Sequence, residues 1–226
     1  MNTLKKFVTA LALGVGIFFV GTGDLVKASS TEEEYFTERI KGIEFEIPYE
    51  ENEVYTEKVI NGSVGSINVY DQISNELLET FSVEDVEEPI NQFNPLKMTT
   101  LASTPSTSLK NVSKTRYDNN LGTQLRARIE VYSSGSFRQI NRVLSTQWFA
   151  VSGIHTIENA TADVLEQPRD FPRTSINVLG DATIQVETDI NVSGGWEAAG
   201  FSAGVSVGQK KYYRKYIELG FKYSVY

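Results

Sequence analysis

Along residues 174 to 193, TSINVLGDATIQVETDINVS, apolar or small side chains fall at nearly every even position and polar ones at nearly every odd position. Alternation with period two marks a β-strand that keeps one face against a core, and this run is about three times the usual five or six residues. Ile176, Val178, Ala182, Ile184, Val186, Ile190 and Val192 share the apolar face, and Gly194-Gly195 ends it. The same period recurs from Leu121 onward. Leu125, Ala127, Ile129 and Val131 lie opposite Arg126, Arg128 and Glu130 in TQLRARIEVY, SSGS joins that run to FRQINRVLSTQWFAV, and GIHTIENATADVLEQ follows before a break at PRDFPR. After the long run the chain returns through FSAGVSVG, with Phe201, Ala203, Val205 and Val207 on one face. It closes with Tyr213, Ile217, Leu219, Phe221, Tyr223 and Val225 opposite Tyr212, Arg214, Glu218 and Lys222. Six strands without a helical period predict an all-β antiparallel sandwich, or a strongly curved sheet, over residues 113–226. Trp148 and the even face of the long run belong in its core, and Gly180 predicts a bulge or bend that carries one strand across two sheets.

The preceding residues read as shorter strands. GIEFEIPYE alternates Ile43, Phe45 and Ile47 against Glu44 and Glu46; INGSVGS carries an Asn-Gly turn; SINVYDQISNELLETFSV reads as a hairpin about Ser74, Asn75 and Glu76. STEEEYFTERI fits the start of a helix, with Ser30 or Thr31 followed three residues later by glutamate. Between these strands and the later ones, EEPINQFNPLKMTTLASTPSTSLKNVSK has three prolines, a Ser/Thr run and no apolar period. That composition predicts a linker at 89–112.

Charge sharpens the division. Residues 29–112 hold 17 acidic and 5 basic side chains, net −12, whereas residues 113–226 hold 11 acidic and 13 basic, net +2. We therefore expect a small acidic β-rich module at 29–88, tethered to the sandwich domain at 113–226. The amino terminus gives the compartment: Lys5 and Lys6, an apolar run from Phe7 to Val20, then Val26-Lys27-Ala28. This is the pattern of a secretory signal peptide over residues 1–28, its apolar core shorter than the ~20 residues that span a bilayer. The chain contains no cysteine, so an exported product holds together by core burial alone, as suits a Gram-positive bacterium.

Candidate chemistry is sparse. GFSAG at 200–204 matches a serine-hydrolase pattern, but Ser202 lies on a predicted strand with no helix after it, and the lone His155 precedes it. No zinc, phosphate-loop or calcium-loop spacing occurs, and neither a cofactor nor a metal is expected. Two groups of cations stand out: Arg126, Arg128, Arg138 and Arg142 on the first hairpin of the later half, and Lys210, Lys211, Arg214 and Lys215 interleaved with Tyr212 and Tyr213 in QKKYYRK. Basic side chains beside tyrosine suit anionic polymers, glycans or lipid headgroups. Nucleic acid is not an expected partner of an acidic, exported chain. The sequence thus predicts an exported binding protein without enzymatic activity. Its alternative is a small membrane-active β toxin or bacteriocin-like effector that inserts a hairpin around residues 182–208, since ~9 to 11 residues suffice to span.

Overall fold

The computed structural model describes residues 35–87, 105–189 and 195–226. The predicted signal peptide, the capping position at Ser30 or Thr31, linker residues 89–104, and Ile190, Val192 and Gly194 of the long run lie outside these residues, as does the side chain of Val205.

Among the described residues, twelve strands make two antiparallel sheets. They are β1 (Phe36–Ile40), β2 (Ile43–Ile47), β3 (Val54–Asn61), β4 (Val64–Asp71), β5 (Leu77–Val86), β6 (Ser106–Asp118), β7 (Leu121–Ser134), β8 (Phe137–Ser152), β9 (Thr156–Val164), β10 (Ser175–Asp189), β11 (Ser202–Val207) and β12 (Lys210–Val225). The first sheet runs β1-β2-β12-β10-β9 with β11 also on β12; the second runs β3-β4-β5-β6-β7-β8. The fold is the expected all-β one, and among the described residues there is no α-helix and no helix long and apolar enough to cross a membrane. Turn chemistry follows the sequence. Gly62 takes φ +57° in the Asn-Gly turn, and Asp71 Oδ1 accepts from the backbone of Ile73 at 3.0 Å and Ser74 at 2.7 Å to form the β4–β5 turn. Asn119 and Asn120 both have positive φ, which matches the twist of the β6–β7 hairpin.

The long alternation serves two core clusters in succession. Ile176 and Val178 of β10 belong to the larger one, with Phe45, Phe81, Leu125, Ile129 and Tyr223. Ala182, Ile184 and Val186 belong to the smaller one, with Leu121, Phe201, Tyr213 and Ile217. Trp148 of the opposite sheet is half-buried and packs against both. Gly180 makes room for it: a Cβ there would stand 2.9 Å from the Trp148 Nε1 and 2.6 Å from the Thr161 carbonyl that this nitrogen bonds. The expected crossing between sheets does not occur, because β10 stays in one sheet throughout and the register shift beside it is taken up in its pairing with β9.

The expected division into an acidic module and a separate sandwich is corrected by the strand pairing. β5 pairs with β6 from Glu79↔Arg116 to Val86↔Leu109, and β2 pairs with β12 through Phe45↔Tyr223. Both sheets therefore draw strands from both halves. Residues 106–112 of the predicted linker are strand, and Phe36–Ile40 of the predicted helix start is strand β1.

Candidate functional site

The two groups of candidate cations fare differently. On β12, alternation sends Lys210, Tyr212 and Arg214 to the outside and Lys211, Tyr213 and Lys215 to the inner face, so QKKYYRK is not one patch. Each of its cations is paired. Lys210 bonds Glu187 at 3.3 Å and Asp189 at 3.1 Å; Lys211 reaches Glu197 at 3.6 Å and lies 4.7 Å from the centre of the Tyr213 ring. Arg214 bonds Glu158 at 3.3 Å and Gln185 at 2.8 Å. Lys215, largely buried, bonds Asp118 of the opposite sheet at 2.7 Å and the Ala199 carbonyl at 2.9 Å. The bonds to Asp189 and then Glu187 hold the Lys210 ammonium above its ordinary pKa.

On the other sheet the arginines separate. Arg142 is bonded to Glu130 through Nε at 3.1 Å and Nη2 at 2.8 Å. Bonds from Asn141 and Arg142 in turn hold the Glu130 carboxyl below the usual carboxylate range. Arg138 turns back on the β7–β8 hairpin, donating to the Gly135 carbonyl at 2.6 Å. Arg126 and Arg128 have no acidic partner among the described residues. They lie two positions apart on β7, opposite the buried Leu125, Ala127 and Ile129, and hence on the outer face about 7 Å from each other. Arg126 stacks its guanidinium 3.7 Å from the centre of the Phe149 ring. Its register neighbours are Ser113 and Gln147; those of Arg128 are Asn111 and Ser145. All four are neutral. Beside Phe149 a depression of about 610 Å³ opens, lined by Gln147, Trp148, Ile157, Ala160 and Ala162.

The remaining sequence candidates take structural partners. Ser202 opens β11, exposed and in register with Arg214. His155 Nε2 is 3.0 Å from Thr123 Oγ1. Asp181 accepts from Thr161 Oγ1, and among the described residues no three metal-ligating side chains gather.

The inner face holds charges that sequence reasoning missed. Lys114 and Glu79 pair at 2.9 Å with their side chains 5% and 9% exposed, and Lys114 Nζ also donates to the Gly220 carbonyl at 3.4 Å. Arg116 pairs with Asp118 at 3.1 Å, and Asp118 continues to Lys215. Burial, then the charge of Glu79, push the Tyr49 hydroxyl well above its ordinary pKa. The one trace in the sequence is KTRYD, where Lys114, Arg116 and Asp118 alternate on the face that Val112 begins, but charges on that face do not announce a buried strand.

Compared with known proteins, the chain matches no family model, no curated protein and no solved structure.

Proposed function

We propose that the chain is an exported binding protein, without catalytic activity, that takes an anionic glycan or related polyanion on the outer face of the β3–β8 sheet. The observation that carries this reading is the contrast between cations: those of β12 are neutralised by neighbouring carboxylates, whereas Arg126 and Arg128 have neutral register neighbours and no ion pair among the described residues, the Glu130 carboxylate two positions beyond Arg128 being taken by Arg142. Stacking on Phe149 fixes the plane of Arg126 while leaving N–H groups for a carboxylate, sulfate or phosphate. A spacing of about 7 Å suits a polymer that repeats its charges. The export signal supports an extracellular ligand.

Membrane insertion of 182–208 has less support. It would draw Ala182, Ile184, Val186 and Phe201 out of a buried cluster and uncover Tyr213 and Ile217, at roughly 1.5 to 3 kcal/mol for each large side chain.

Titration calorimetry with dextran sulfate, against neutral dextran as control, tests the assignment. Arg126→Ala and Arg128→Ala should each weaken binding roughly five- to tenfold, the loss of about 1 to 1.4 kcal/mol. Lys210→Ala should leave binding within about twofold, and binding should fall as salt rises. If Lys210→Ala weakens binding as much as Arg126→Ala, or if neutral dextran binds equally, the assignment is wrong.

A further inference from the structure

A second, separate surface lies on the outer face of the other sheet. A depression of about 690 Å³ crosses β9, β10 and β12, within the size range of sites that hold small ligands or peptide segments. Three apolar side chains line it while staying in solvent: Leu165 at 60%, Leu179 at 45% and Tyr216 at 61% exposure. Leu179 interrupts the otherwise polar outer side of β10. It stands in register with Gly220, where a Cβ would come within 2.5 Å of Leu179 Cδ2, so the leucine occupies the space that the glycine leaves. A smaller depression of about 280 Å³ shares Leu165, Leu179 and Gly220 and extends toward Glu46 and Pro48. The combined surface is therefore elongated.

The larger depression carries charge of one sign, while Lys222, the one cation lining the smaller depression, is paired with Glu46. Asp163, Asp181 and Glu218 line the larger depression, and no lysine or arginine does. Asp181 accepts from Thr161 and Glu218 from the Tyr216 hydroxyl at 3.1 Å; among the described residues neither is in an ion pair. Exposed apolar side chains ringed by carboxylates complement a ligand with an apolar stem and a cationic head.

We propose that this groove docks an extended basic peptide, with leucine-like side chains on Leu165 and Leu179 and a lysine or arginine at Asp181 and Glu218, over the Tyr216 ring. The elongated shape of the joined depressions favours an extended segment, and the carboxylates repel the polyanions assigned to the opposite sheet. The two surfaces are thus independent.

The test uses the full mature chain and two probes, acetyl-Gly-Lys-Leu-Lys-Leu-Lys-Gly-amide and its glutamate counterpart, followed by calorimetry and by shifts of backbone amide resonances. The lysine peptide should bind at least tenfold tighter than the glutamate peptide and shift resonances of β9, β10 and β12. Tyr216→Ala and Glu218→Gln, both surface changes, should each weaken it at least threefold with unchanged melting, whereas Arg126→Ala should have no effect. Equal binding of the two peptides, or full binding by both surface variants, overturns the proposal. So does concentration-dependent dimerisation that Glu218→Gln abolishes, because the occupant would then be a second copy.

Discussion

At the scale of single residues, the interior charges carry the sharpest consequences. Lys114 and Glu79 face each other inside the sandwich, and removing one partner leaves the other charge buried without compensation. Lys114→Met should therefore destabilise the protein by about 3 to 5 kcal/mol in urea unfolding, while Lys114→Met combined with Glu79→Leu should recover most of that loss. A double variant as unstable as the single one would show that the cost lies in packing and not in charge. His155 gives a second handle. Burial depresses its imidazole pKa below the ordinary 6.5, with the Gly153 carbonyl opposing. A ring held neutral in the folded state contributes stability that is complete above the unfolded value and is lost as pH falls through the folded one. The melting temperature should drop between pH 7 and pH 5, and His155→Gln should flatten that drop. Asp85 does not interfere in this window. Burial raises its carboxyl, but bonds from Lys110 and Lys41 outweigh that and hold it below the usual carboxylate range, so its contribution disappears only at lower pH.

At the scale of elements, the two sheets are laced along one edge by β8 and β9. Trp148 Nε1 donates to the Thr161 carbonyl at 2.6 Å, Thr146 Oγ1 to the Ala162 carbonyl at 2.7 Å, and Ile140 exchanges backbone bonds with Arg173 at 2.7 and 3.0 Å. Trp148→Phe keeps part of the ring's apolar packing but removes the bond to the exposed Thr161 carbonyl, a loss of about 0.5 to 1.5 kcal/mol. Hydrogen exchange should rise along residues 156–164 in that variant, and protection equal to the parent would count against the lacing. Strands β7 and β10 were legible in the sequence because each keeps a dry face: Leu125 to Val131 alternates throughout, and Ile176 to Val186 alternates with Gly180 as its one gap. What was not legible is β6. Its inner face carries Lys114, Arg116 and Asp118 after Val112, so charge stands where apolar residues normally announce a strand, and its partners are supplied by β5 and β12, remote in sequence. The basic cluster of β12 misled for a related reason. Spacing reveals which cations are neighbours along the chain, but the carboxylates that neutralise them arrive from β10, β9 and the segment before β11.

At the scale of the whole molecule, the charge split between the two halves acquires a structural meaning. Lys114 bonds Glu79 and Lys222 bonds Glu46, each joining a cation of the later half to a carboxylate of the earlier one. The asymmetry thus serves pairing within shared sheets. The larger core cluster has the same composition: nine of its 21 buried residues, from Ile40 to Val83, precede residue 87. At roughly 1.5 to 3 kcal/mol for each large side chain, the first five strands supply on the order of 13 to 27 kcal/mol of burial, as large as or larger than the net stability of about 5 to 15 kcal/mol typical of a domain. They also cover the β6 edge along eight residue pairs. A fragment of residues 113–226 should therefore fail to fold on its own. Dispersed amide resonances or a cooperative thermal transition from that fragment would show that the later half is self-sufficient after all. The expected outcome is collapsed resonances and no transition, with a cooperative transition restored when residues 29–112 are supplied in trans, since the register β5 offers to β6 is then available again.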